Sequence, residues 1–168
     1  MEAVEKPFSR GSYLARFIVL DVVSQDDAAA LSSALTSMEP WRTLGYSRGS
    51  VQAYILRDDP ALHRYLMRID GAVAGAIFLR YPWLFGPYIE LLAIFPAYQR
   101  RGAGRAILEW IEDESRGISR NIWALVSSFN TEARLFYRRM GFSEAAPITD
   151  LVKLGCDEIL IRKALRTI

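Results

Sequence analysis

The run Tyr88-Ile-Glu-Leu-Leu-Ala-Ile-Phe95, cut short by Pro96, constrains the fold more than any other stretch. Apolar except at Glu90 and stopped by a residue that lacks a backbone N–H, it reads as a buried strand. A turn rich in arginine and glycine follows, Gln99-Arg100-Arg101-Gly102-Ala103-Gly104. Ile107, Leu108 and Ile111 then recur at helical spacing, which predicts a helix over 102–116 with Gly117 just past its end. Asn121 to Ser127 is apolar again and reads as the next strand. Strand, helix and strand in that order close as a right-handed crossover with the two strands parallel.

A second local signal supplies antiparallel neighbours. Asp70-Gly71 lies between Arg64–Ile69 and Ala72–Leu79, and this pair tolerates the positive φ that a two-residue hairpin turn demands. The sheet is therefore mixed, and the fold class is α/β with helices flanking a central sheet. Tyr13 to Asp21 reads as one opening strand. Ser24, Asp26 and Asp27 start a helix through Leu31 and Leu35 toward Pro40, and a short helix fits Ser47 to Leu56. The aromatic and proline-rich segment Tyr81 to Pro87 reads as a loop. Asn130-Thr131-Glu132 opens the last helix, where Ala133, Phe136, Tyr137 and Met140 form one inward stripe ended by Gly141. Ile148–Leu151 suggests a short strand and Glu158–Leu165 a closing one. With 168 residues and no internal repeat or linker, the whole of 1–168 fits a single domain.

Composition removes several functions. The net charge of +2 comes from acids and bases spread along the chain, so no nucleic-acid partner follows from it. Cys156 is the only cysteine and His63 the only histidine, which leaves no internal disulfide and no metal cluster of the thiolate or imidazole kind. The charged, proline-containing start of the chain lacks the apolar core of an export signal, and no run approaches the roughly twenty residues that span a bilayer. A cytoplasmic protein with no membrane partner is the expectation.

The turn at 99–104 is suited to an anion. The first residues of a helix leave backbone N–H groups unpaired at the positive end of the helix dipole. Gly102 and Gly104 would let the backbone approach phosphate oxygens, with Arg100, Arg101 or Arg105 adding charge-assisted bonds. A pyrophosphate is the natural ligand. No Lys-Ser or Lys-Thr pair follows the glycines, which excludes a nucleotide-hydrolysing P-loop, and Ile107 occupies the place where a dinucleotide fingerprint needs Gly or Ala. An arginine-flanked helix cap without a ligand remains the bland alternative.

These residues carry a resemblance. Leu92-Ala93-Ile94 followed by Pro96 and Gln99-Arg100-Arg101-Gly102-Ala103-Gly104 resembles the acyl-CoA-binding motif of the GNAT superfamily of N-acyltransferases, (Arg/Gln)-x-x-Gly-x-(Gly/Ala) after a strand ending in Val-x-Pro. Asn130, Ala133, Tyr137 and Gly141-Phe142 are similar to the family's second block. The likeness covers Arg64 to Leu165, the CoA-binding core at 64–165, whereas 1–60 matches only in its strand-then-helices order and would form the acceptor side.

The resemblance implies a GNAT-like fold and transfer of an acetyl group from acetyl-CoA to a primary amine, of a small molecule or a protein, by direct attack in a ternary complex. It implies that backbone groups of Leu92, Ala93 and Ile94 hold the pantetheine arm and that amides of Arg101, Gly102, Ala103, Gly104 and Arg105, beside Gln99 and Arg100, cradle the pyrophosphate. Asn130 would touch the cofactor arm, or act as a plain N-cap. Tyr137 is the implied general acid for the departing thiolate, with core packing as its competitor. Glu90 is the candidate base, and period-two counting puts it on the face of Leu92 and Ile94. It could instead be an ion-paired residue at the pocket rim. Leu125 excludes a base on the next strand. The aromatic segment 81–88 and the loop Glu39-Pro-Trp41-Arg42 could wall the acceptor site, and the former could also pack a homodimer or close the core. A non-catalytic acyl-CoA-binding module is the rival reading.

Overall fold

In the computed structural model, which describes residues 6–165, the crossover sits in the middle of one eight-stranded sheet. The sequence expectations for 1–5 and 166–168 lie outside the described residues. The strands are β1 (Ser12–Ala15), β2 (Ile18–Val22), β3 (Leu62–Ile69), β4 (Ala72–Trp83), β5 (Gly86–Ile94), β6 (Asn121–Ser127), β7 (Ser143–Lys153) and β8 (Cys156–Ala164). The helices are α1 (Ala28–Thr36), α2 (Trp41–Leu44), α3 (Arg48–Leu56), α4 (Ala103–Ser115) and α5 (Thr131–Arg139). Strand order is β1-β2-β3-β4-β5-β6-β8-β7, antiparallel throughout except between β5 and β6.

Period-two alternation sends each strand's apolar residues to two separate cores. On one face Leu31 and Leu35 of α1 and Val51 and Ile55 of α3 pack against Leu66, Phe78, Leu91 and Ala93. On the other, Ile107 and Ile111 of α4 and Tyr137 of α5 pack against Ile77, Leu79, Ile89 and Ile122. Full burial of each such aliphatic side chain is worth roughly 1.5–3 kcal/mol, so both helical layers are firmly seated.

The Asp70-Gly71 hairpin forms with both residues left-handed, φ 50° and 80°. Three expectations need correction. Tyr13–Asp21 is a hairpin of β1 and β2, in which Arg16 turns the chain at φ 57° and Ala15 faces Ile18. Folding back buries Tyr13, Ala15, Ile18 and Leu20 on one face, which a single strand could not do across a sheet this wide. Tyr81–Pro87 is no open loop: β4 runs on to Trp83, Leu84 and Phe85 turn with φ 37° and 62°, and β5 restarts at Gly86. Trp83 stacks on Tyr88 at 4.9 Å and meets Trp123 edge-on at 5.6 Å, and these ring contacts hold the segment extended. Finally, Ile148–Leu151 lies within the much longer β7, where Ile148 pairs with Glu158 of β8 and the ladder is then interrupted until Lys153. The short helix α2, closed by Gly45 at φ 80°, has no counterpart in the sequence reading.

Candidate active site

The parallel pair at the centre is short. β5 and β6 are in register only at Tyr88 with Trp123 and Ile89 with Ala124. Beyond that point β5 stays with β4 as far as Ile94, and β6 stays with β8 as far as Ser127. The two strands thus part toward their C-terminal ends and leave a slot. The edge of β5 that faces it, including Leu92, Ala93 and Ile94, can accept an extended ligand in the manner of an added strand.

The arginine-glycine turn lies at the mouth of the slot. The Gln99 side chain donates to the Ile94 carbonyl at 2.8 Å, tying the turn to the end of β5. Arg100 and Gly102 are left-handed, φ 60° and 84°, and α4 begins at Ala103. The first helical N–H to find an acceptor is that of Ala106, which bonds the Gly102 carbonyl at 3.0 Å. Those of Gly102, Ala103, Gly104 and Arg105 have none among the described residues, so four donors converge at the positive end of the helix.

The two glycines do different jobs. A Cβ on Gly102 would meet nothing within 4 Å, so the surface above it is open and the glycine serves the left-handed backbone. At Gly104 a Cβ would stand 2.8 Å from Cζ of Phe136 and 3.3 Å from Cδ1 of Ile94, so the glycine also lets α4 pack closely against α5. The arginines lie at the surface: Arg100 pairs with Glu132 at 2.6 Å and Arg105 with Glu109 at 2.9 Å. Asn130 caps α5, its Oδ1 accepting from the Ala133 N–H at 3.2 Å.

Tyr137 is 7 % exposed and packs edge-on to Phe136 and Phe142. Its hydroxyl has no hydrogen-bond partner among the described residues. Burial, and then the neighbouring Tyr88, push the phenol well above its ordinary value, so it carries its proton at neutral pH. That is the form a general acid requires.

Glu90 is not where alternation puts it. Leu79 pairs with Ile89 and Phe78 with Leu91, which leaves Glu90 as the extra residue of a bulge. The insertion turns Glu90 to the same side as Leu91, toward α3, and away from Leu92 and Ile94, which pack against the α4 side. There its Oε2 accepts from the Tyr54 hydroxyl at 2.5 Å and its Oε1 accepts from the Arg80 guanidinium. Arg80 also grips Asp59 at 2.9 Å. Its hydrogen bonds hold the Asp59 carboxyl down to about 2. Burial, then the Glu90 carboxylate, push the Tyr54 phenol up.

Beside Glu90 lies a cavity of about 340 Å³ walled by Trp41, Tyr46, Ser50, Tyr54 and Tyr88. Trp41 and Tyr88 belong to the two segments expected on the acceptor side, whereas Tyr46, Tyr54 and Arg80 carry no mark in the sequence. Their signal was an aromatic set at 41, 46, 54 and 88 that only the folded chain assembles. Lys153 of β7, at the far end of the sheet, donates to the Thr43 carbonyl of α2 at 2.8 Å and so ties the helix that carries Trp41 to that edge. No group of three or more metal-ligating side chains occurs among the described residues.

A central sheet with one short parallel pair, a slot between its strands and a donor-rich helix start at the slot's mouth define a cleft suited to an extended ligand with an anionic end. Residues 25–142 match the model of the acetyltransferase (GNAT) family, and the chain belongs to that family. Over 56 residues it is 43 % identical to the [ribosomal protein bS18]-alanine N-acetyltransferase of Escherichia coli K12, covering 32 % of this chain and 37 % of that enzyme. It is 30 % identical over 100 residues to the S-(2-succino)cysteine N-acetyltransferase of Bacillus subtilis, covering 54 % of this chain and 61 % of the relative. The matched stretches thus span about a third to three fifths of these relatives. The crystal structure of the ribosomal-protein-S18-alanine N-acetyltransferase from Escherichia coli superposes with a TM-score of 0.70 at 20 % identity, over 90 % of this chain and 96 % of the other. An acetyltransferase from Thermus thermophilus does so with 0.70 at 21 % identity, over 91 % of this chain and all of the other. Among the described residues no helix is long and apolar enough to cross a membrane.

Proposed function

We propose that the protein transfers an acetyl group from acetyl-CoA to a primary amine. Three features support this reading: the unbonded N–H groups of Gly102–Arg105, the slot where β5 and β6 part, and the protonated phenol of Tyr137, which senses Tyr88 of β5. The helix start is suited to the pyrophosphate, with the open surface over Gly102 giving room for it. The edge of β5 at Leu92, Ala93 and Ile94 is suited to the amides of the pantetheine arm, and an N–H there can stabilise the developing oxyanion. When bound, acetyl-CoA supplies the activated thioester. Tyr137 then donates its proton to the departing sulfur. Asn130 spends one amide oxygen on its helix cap and keeps its NH2 for the cofactor arm.

The aromatic cavity on the α3 side is the acceptor pocket in this reading. It opens to the face of the sheet opposite α4 and α5, so donor and acceptor enter from different sides and meet at the slot. Two relatives are named for a protein alanine and for a cysteine adduct, and an α-amino group of that kind is a fitting first acceptor here.

Titration calorimetry with acetyl-CoA, with ATP and NAD as controls, tests the donor site. Thiol release with an alanine-terminated peptide and with S-(2-succino)cysteine tests transfer. Binding of acetyl-CoA alone, with thiol release that depends on an amine, is the expected result. Failure to bind acetyl-CoA would overturn the reading.

A further inference from the structure

One buried carboxylate near the slot is left unspent by the ion pairs around it. Glu158 of β8 is only 4 % exposed, and among the described residues no cation pairs with it. Its Oε1 accepts from the Ser127 hydroxyl at 2.7 Å, and its Oε2 has no partner among the described residues. Burial of a carboxylate on a single neutral hydroxyl is costly and calls for a use.

Its position suggests one. Glu158 lies directly across from Ser127, the last residue of β6, three residues past the point where β5 and β6 part. Ile122, Ala124 and Val126 face the α4 core, so Trp123, Leu125 and Ser127 face the acceptor side. Residues directly opposite in a ladder share a face, and the Ser127 bond keeps the Glu158 carboxylate on it. The titratable groups that sense it are Tyr46, before α3, and Tyr88 of β5, both of which wall the acceptor cavity. Facing Ile148 of β7 is apolar, and no charged group opposes it from β6.

Resting on the N-acetyltransferase reading above, we propose that Glu158 is the catalytic base, and that Glu90, fixed by Arg80 and Tyr54, is a wall of the acceptor pocket. The acceptor arrives as an ammonium ion, drawn by a carboxylate with no cation of its own, and gives one proton to Oε2. The free amine attacks the thioester carbonyl, forming the C–N bond. Collapse of the tetrahedral adduct breaks the C–S bond, the sulfur takes the Tyr137 proton, and the adduct's excess N–H proton returns to the phenolate. Glu158 releases its proton to solvent, which balances the reaction. Burial raises the Glu158 carboxyl, bringing it closer to the pH at which it must accept and release a proton, while the Ser127 bond opposes that rise.

The test uses the full chain and three variants, Glu158→Gln, Glu158→Asp and Glu90→Gln, with an alanine-terminated peptide and S-(2-succino)cysteine as acceptors. E158Q, which keeps the Ser127 contact, is expected to lower kcat by at least about 100-fold and abolish the acidic limb of the pH profile, with acetyl-CoA affinity within about threefold of the parent. E158D should retain that limb at reduced rate, and E90Q should act mainly on the acceptor KM. A carbon-13 titration of labelled glutamate carboxyls, assigned with E158Q, should place Glu158 above the ordinary carboxylate range. Parental kcat and pH profile in E158Q, or an ordinary carboxyl titration at 158, would overturn the proposal. Absence of acetyl-CoA binding in the unaltered chain would instead sink the acetyltransferase reading, with the carboxyl titration still deciding the state of Glu158.

Discussion

Gly104 and Phe136 touch through the space a side chain would fill: a Cβ on Gly104 would lie 2.8 Å from Cζ of the ring. α4 and α5 approach each other at this point, and the helix that offers its N–H groups to the slot is aligned by the contact. Gly104→Val is therefore expected to cost about 1–3 kcal/mol through overpacking. For a domain of this size that lowers Tm by about 2–4 °C per kcal/mol. Gly102→Ala faces no clash and pays only left-handed strain, about 1–2 kcal/mol. Thermal unfolding of the two variants, with and without acetyl-CoA, checks the distinction. An unchanged Tm in Gly104→Val would contradict the packing role.

Tyr137→Phe removes a hydroxyl that bonds nothing in the described protein, so the variant should unfold at nearly the parental temperature. Loss of the proton donor should lower kcat by about 10²-fold or more while acetyl-CoA affinity is preserved. Steady-state rates and calorimetry on the same preparation read both quantities. Equal rates would return Tyr137 to simple core packing.

The local parts of this reading were legible before folding. Asp70-Gly71 announces its turn by residue type, β6 occupies the very residues 121–127 that the apolar run marks, and Asn130 and Gly141 punctuate α5 as their chemistry requires. The turns at Arg16-Phe17 and Leu84-Phe85 carry no such mark. Their left-handed residues are held by the pairing and ring stacking on either side, which is tertiary information. Glu90 shows the same limit at the site. A single inserted residue reverses every face assignment made by counting across it, and bulges leave no composition signal. Arg80 and Tyr54, which fix its carboxylate, lie 10 and 36 residues away. In the sequence Glu158 is an ordinary first residue of a closing strand, because nothing local distinguishes a carboxylate without a cation from one with a partner.

Arg80 joins Asp59 to Glu90, and its removal should show in the pH dependence of stability. The Asp59 carboxyl, at about 2 in the fold against 3.8 unperturbed, favours folding when ionised. Its contribution is complete above the unfolded value and is lost as pH falls through about 4 toward 2. Arg80→Met deletes the cause of that shift. The Tm gap between parent and variant should thus be widest near neutral pH and close progressively below pH about 4. A gap that stays constant down to acid pH would mean that Arg80 stabilises the fold by packing alone.

Glu158 should behave in the opposite sense. Its folded carboxyl is raised by burial above the 4.5 of an unperturbed glutamate, so the folded chain holds a proton that the unfolded chain gives up. Stability therefore falls as pH rises from about 4.5 through the folded value and stays lower above it. Glu158→Gln keeps the Ser127 contact and carries no charge to desolvate. It should melt higher than the parent at neutral pH, with the advantage vanishing in acid where Glu158 is itself neutral. Paired melting curves from pH 4 to 8, on the order of the range where a carboxyl and its shifted counterpart titrate, measure this directly. A variant that is more stable and far slower would match a charge retained in the fold for its chemistry. A variant that melts lower than the parent at neutral pH would show that the ionised carboxylate holds the structure together, and would remove the energetic case for Glu158 as the base.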